Sequence, residues 1–140
     1  MSIRFEELQI GQAAGFAKTI TEADVVLYAG ITGDLNPAHI NQVEAEKSRF
    51  GGRIAHGMLS AGLISAVLGT RLPGPGTIYL EQTLRFTRPV RIGDTVTARV
   101  EVIELIEKRR RVRLATSCAN QDGEVVLEGE ALVMVPAAEP

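Results

Sequence analysis

The chain has 140 residues, 45% hydrophobic and 23% charged, with a formal net charge of −2. Those values are ordinary for a soluble globular protein, and residues 1–140 read as one domain, long enough for its own core. So small a net charge gives no electrostatic reason to expect nucleic acid or an anionic membrane as partner.

Four Phe, two Tyr and no Trp leave no aromatic platform for stacking single strands. The lone cysteine, Cys118, has no second thiol for an internal disulfide, which fits a reducing cytoplasm.

Residues 1–10, MSIRFEELQI, lack a basic region followed by an apolar run, so no secretory leader is expected. TITEADVVLYAGITGD opens as a helix, with Thr21 as N-cap, Glu22 and Asp24 in the first turn, and Val25, Val26 and Ala29 as an apolar face. Gly30 and Gly33 weaken it, and Pro37 disfavours a helical Asn36. NQVEAEKSRFGG reads as a short polar helix ended by Gly51 and Gly52.

The stretch from Gly57 to Gly69 carries small or apolar residues on every side and no charge, which predicts a helix enclosed all round. Ala61, Gly62, Ser65 and Ala66 would let other backbone come close. The uncharged run to Thr70 is shorter than the about 20 residues that a membrane span needs. LPGPG stops it.

From Thr77 the hydrophobic period changes to two. TIYLEQTLRF sets Ile78, Leu80, Leu84 and Phe86 on one face and Tyr79, Glu81, Thr83 and Arg85 on the other. GDTVTARVEVIEL, RVRLATSCANQ and EVVLEGEALVMV repeat the alternation between short polar breaks, as an antiparallel meander does. EKRRRVR reads as a solvated hairpin turn, since nothing else in the chain is strongly basic. A helical, loop-rich first half and a strand-rich second half indicate an α+β fold, a curved antiparallel sheet around one apolar helix. Apart from the PAAEP tail there is no repeat, linker or low-complexity stretch.

GDLNPAHIN holds one of the two histidines. On an unbroken helix Asp34 and His39 would stand about 140° apart, but Pro37 admits a kinked turn that brings both to one point. A carboxylate and an imidazole around one water can orient it, take its proton and return one elsewhere. Histidine suits this work because its ordinary pKa, about 6.5, is close to operating pH. The same spacing also suits a carboxylate that stabilises a turn beside an ordinary hydrogen-bonded histidine.

The second histidine opens HGMLSAGLISAVLG. A helix starting at Gly57 presents free N–H groups and a positive dipole end, which can hold a carbonyl oxygen that is becoming negative. Gly57 as a simple turn residue, beside a packed His56, is the alternative. Both histidines with Asp34 would make a metal site only without HxxxH or CxxC spacing, so no metal is expected. RLPGPG lacks the lysine of a phosphate-binding loop. Ser65 sits mid-helix without a nucleophile elbow, so it is a packing or supporting residue.

GDLNPAHIN, RIAHGML and GTIYLEQTLRFTRPVRIGDTV together resemble the MaoC-like hydratases, and among them the short (R)-specific enoyl-CoA hydratases that feed polyhydroxyalkanoate synthesis. The resemblance runs in order from about Phe5 to Val135. The family's D-x-N-P-x-H element is complete as Asp34, Asn36, Pro37 and His39, and its H-G-M as His56, Gly57 and Met58.

The resemblance implies a hot-dog fold, an antiparallel sheet wrapped around a long helix, in a homodimer or larger oligomer in the cytoplasm. It implies a hydro-lyase that adds water to trans-2-enoyl-CoA to give (R)-3-hydroxyacyl-CoA, with coenzyme A present only in the substrate and no cofactor. Asp34 and His39 would activate the water, the Gly57 N–H would bind the thioester carbonyl, and Asn36 and Ser65 would support them. Arg53 and the basic residues near Lys108 are candidates for the coenzyme A phosphates. Two alternatives keep the fold: an acyl-CoA thioesterase, and a non-catalytic subunit that binds acyl thioesters.

Overall fold

The computed structural model describes residues 3–137. The first two residues of MSIRFEELQI and the last three of PAAEP lie outside the described residues.

Strand β1 (Ala13–Thr19) leads into helix α1 (Glu22–Thr32), the short helices α2 (Pro37–Ile40) and α3 (Gln42–Glu46), and the long helix α4 (Gly57–Thr70). Strands β2 (Ile78–Gln82), β3 (Arg85–Phe86), β4 (Thr95–Ile106), β5 (Arg111–Ala119) and β6 (Val125–Met134) follow. The sheet is antiparallel in the order β1-β4-β5-β6-β2, with β3 also on β6. Its apolar face packs against α4, so the fold is the α+β hot-dog arrangement that the resemblance implies.

The meander follows from its alternation. Val96, Ala98, Val100 and Val102 of β4 are buried, as are Val112, Leu114 and Cys118 of β5. These side chains and those of β6 enclose Leu63, Ile64, Val67 and Leu68 of α4 in one hydrophobic cluster. Lys108–Arg110 make the hairpin turn expected of EKRRRVR.

Four details differ from the sequence reading. The first half is not only helix and loop: AAGFAKT forms β1, seven residues paired along β4. TIYLEQTLRF is not one alternating strand. A bulge between Tyr79 and Glu81 shifts its register, and at Thr83 the chain lies so close to β6 that a Cβ on Gly129 would be 1.8 Å from the Thr83 carbonyl oxygen. Because β2 ends the sheet, Ile78, Tyr79 and Leu80 are exposed.

Helix α4 is enclosed along one stripe only. Ser60, Leu63, Ile64, Val67 and Leu68 are buried, while Met58, Gly62, Ser65 and Ala66 are exposed. Val25 and Ala29 of α1 are buried as an i, i+4 pair, but Val26, about 100° round the helix, is exposed. No helix among the described residues is long and apolar enough to cross a membrane.

Candidate active site

The Asp34–His39 stretch is built from two helix ends. Thr21 N-caps α1 in a capping box: its side chain accepts from the Asp24 N–H at 3.2 Å, and the Asp24 carboxylate accepts from the Thr21 N–H at 2.9 Å. The helix closes at Gly33, which is left-handed at φ +79° and donates its N–H to the Ala29 carbonyl. Asn36 then N-caps α2, its side-chain oxygen accepting from the Ala38 N–H at 3.0 Å, with Pro37 in the first helical position. The sequence reading put the break at Asn36-Pro37. The structure puts it at Gly33, and Pro37 starts the next helix.

Asp34 therefore lies between two helices, exposed, while His39 on α2 is 8% exposed. His39 is held by the segment before α4. Its Nδ1 is 2.7 Å from the Ile54 carbonyl oxygen, the Ile54 N–H donates to the Ala38 carbonyl, and the Arg53 Nε donates to the His39 carbonyl at 2.6 Å. A carbonyl only accepts, so Nδ1 carries the proton and Nε2 is left as the acceptor.

His56 precedes α4 and is 2% exposed. Its Nε2 donates to the backbone carbonyl of Asp34 at 3.0 Å, and its ring stacks on His39 with centroids 3.9 Å apart and planes 30° apart. Asp34, His39 and His56 each offer a polar atom within 4.8 Å of the others. The rings of His39 and His56 lie face to face, tilted by 30°, so their in-plane lone pairs do not converge on one point as zinc ligands do.

Gly57 begins α4, and neither its N–H nor that of Met58 has an acceptor among the described residues. A Cβ at Gly57 would lie 2.7 Å from the Phe86 ring, so the glycine also lets Phe86 pack against the helix start. These groups line a cavity of about 390 Å³, open to solvent and walled by Val90, Val126 and Leu127. The floor includes Ser60, whose buried hydroxyl has no hydrogen-bond partner.

The structure thus brings Asp34, His39 and Gly57 to one cavity. Asn36 acts on the turn beside it. Ser65 does not line the cavity; it is exposed on α4, since eight residues carry it about 12 Å along the helix from Gly57. Arg53 is not free for a phosphate: its guanidinium holds Glu22 at 2.8 Å and is 14% exposed. Lys108 lies by the end of β6, roughly 25 Å of strand away from the cavity residue Leu127. The arginines at the cavity are Arg49 and Arg88, which no motif marks in the sequence. Phe86 and Ser60 were read only as a strand residue and a helix residue.

The model of the MaoC like domain family matches residues 6–122. The chain belongs to this family. Like it in sequence is the (R)-specific enoyl-CoA hydratase of Rhodospirillum rubrum, 59% identical over 133 residues, spanning 95% of this chain and 92% of that protein. A 3-hydroxybutyryl-CoA dehydratase of Methylorubrum extorquens is 58% identical, over 96% of this chain and 85% of its own length. An R-hydratase of Pseudomonas aeruginosa, in its unliganded form, has the same MaoC-like fold with a TM-score of 0.91 and 48% identity, covering 99% of this chain and 94% of that one.

Proposed function

We propose that this MaoC-like chain is an (R)-specific enoyl-CoA hydratase, which adds water reversibly to trans-2-enoyl-CoA to give (R)-3-hydroxyacyl-CoA. One observation carries the reading: the Asp34 carboxylate and the His39 ring share one cavity, with polar atoms within 4.8 Å of each other, beside the free N–H groups that open α4. The 59% identity to an enoyl-CoA hydratase supports the choice of reaction.

In the forward direction a water held between Asp34 and His39 gives a proton to His39 Nε2 while its oxygen bonds to C3. The C2–C3 π pair moves towards the thioester carbonyl, and the Gly57 N–H and the helix dipole stabilise the enolate charge on that oxygen. C2 then takes a proton from the same Asp34/His39 pair, on the face where water added. Every atom of the product comes from water and substrate; coenzyme A enters only as part of the thioester. Asp34, His39 and Gly57 are the catalytic residues of this scheme, and Asn36 supports it through the α2 cap.

Arg49 and Arg88 are the cations placed to meet phosphate groups of coenzyme A. A homodimer fits two of the surfaces that the described residues leave open. They are the small-residue face of α4 and the β2 edge with Ile78, Tyr79 and Leu80.

The test is to follow enoyl-thioester absorbance and free-thiol release together on crotonyl-CoA. Loss of absorbance without thiol release is expected. Thiol release at the rate of turnover would instead identify a thioesterase, and neither signal from the folded protein would leave a thioester-binding subunit.

A further inference from the structure

We infer that His56 is a positioning residue for the Asp34/His39 pair, holding Asp34 through its one N–H and His39 through its ring face. This rests on the hydratase reading above.

Asp34 stands in the Gly33–Asn36 link, whose other hydrogen bonds are local. The Asp34 N–H donates to the Thr32 hydroxyl, the Leu35 N–H to the Gly33 carbonyl, and the Asn36 N–H to the Asp34 carboxylate. Among the described residues, the bond from His56 Nε2 to the Asp34 carbonyl is the one hydrogen bond tying this link to a distant part of the chain, 22 residues away. Holding that carbonyl restrains the peptide plane that carries the Asp34 Cα, and so narrows the range of positions from which the Asp34 side chain leaves the backbone.

The ring does a second job. His39 is gripped at one edge by the Ile54 carbonyl, which leaves rotation about that contact open. The His56 ring at 3.9 Å closes this freedom, and Tyr28 backs His56 with centroids 4.6 Å apart. Tyr28, His56 and His39 form an unbroken run of ring contacts, tilted 51° at the first and 30° at the second.

Packing alone does not account for a histidine here. Its Nδ1 is buried with no partner, and an unsatisfied buried acceptor is unfavourable. A phenylalanine would offer an aromatic face there without that defect. What it would lack is the donor to Asp34.

The experiment compares wild type, His56→Phe and His56→Gln on a trans-2-enoyl-CoA, with melting temperatures alongside. His56→Phe keeps an aromatic ring and removes the donor; His56→Gln keeps an N–H donor and removes the ring. His56→Phe should stay folded and keep KM within about twofold, yet lose kcat by about tenfold or more, because orientation matters in the transition state. His56→Gln should recover part of that kcat. Nitrogen-15 NMR of wild type should show His56 protonated on Nε2 and not on Nδ1.

A His56→Phe variant as fast as wild type, or faster than His56→Gln, would overturn the inference. So would an Nδ1-protonated His56, a result that stands even if His56→Phe fails to fold. A wild type that hydrates no enoyl thioester removes the hydratase reading itself, and the positioning role with it. An active wild type with an undiminished His56→Phe removes the positioning role alone.

Discussion

His39→Asn separates the two jobs of one ring. The asparagine amide reaches the place of Nδ1 and can still donate to the Ile54 carbonyl, the bond that measures 2.7 Å in the native chain. Nothing then occupies the place of Nε2. The fold should lose only the packing of the outer ring atoms, about 1 kcal/mol, or a fall of roughly 3–5 °C in Tm for a domain of this size.

Catalysis should lose a general acid–base, a factor of about 10²–10⁴ in kcat, which is roughly 3–5 kcal/mol of transition-state stabilisation. His39→Ala also leaves the Ile54 carbonyl without its donor and should lose a further ~1 kcal/mol of stability with no additional loss of kcat. Stopped-flow hydration of crotonyl-CoA and a thermal melt on the same preparations read both quantities. The reasoning fails if His39→Asn keeps kcat within about tenfold of wild type, or if kcat falls only as the folded fraction falls.

Three predictions concern the scaffold. Gly129→Ala forces a Cβ into the Thr83 carbonyl between β2 and β3, and should cost about 3 kcal/mol or more by chemical denaturation; an unchanged midpoint would refute this close approach. Burial pushes the Cys118 thiol up to about 12, whereas an unfolded thiol ionises near 8.5. The unfolded chain therefore releases the proton first, and stability should fall with a slope approaching 1.4 kcal/mol per pH unit, roughly, from above pH 8.5 until the folded thiol ionises; Cys118→Ala should flatten that limb. The Lys18 ammonium, with the Thr21 N–H, holds the Asp24 carboxyl below the usual carboxylate range. Its contribution should be complete above an unfolded pKa of about 3.9 and vanish as pH falls through the lower folded value, so Asp24→Asn should make the acid limb shallower.

The sheet was legible where burial and alternation coincide. Val96 to Val102 and Val112 to Cys118 each present every second side chain to α4, so period two survives in the sequence. Strand β1 was not legible: three alanines and a glycine carry little β preference, and pairing to β4 supplies what local sequence does not. The bulge in β2 is likewise a matter of pairing with β6, whose residues lie about fifty positions away along the chain. At the site, residue type and spacing left Asp34, His39 and Gly57 open between structural and catalytic roles, and the family resemblance singled them out. The ring stack and the buried, half-satisfied His56 were not legible, since stacking depends on the 53–56 segment meeting α2. Arg53 misled for the same reason: a free arginine and one locked to Glu22 look alike in sequence.

The most direct measurement couples crotonyl-CoA hydration to an (R)-specific 3-hydroxyacyl-CoA dehydrogenase, for wild type and Asp34→Asn. The account predicts rapid formation of the (R) product by wild type and a loss of about 10²-fold or more in Asp34→Asn at unchanged Tm. An (S) product, or an Asp34→Asn variant as fast as wild type, would contradict it.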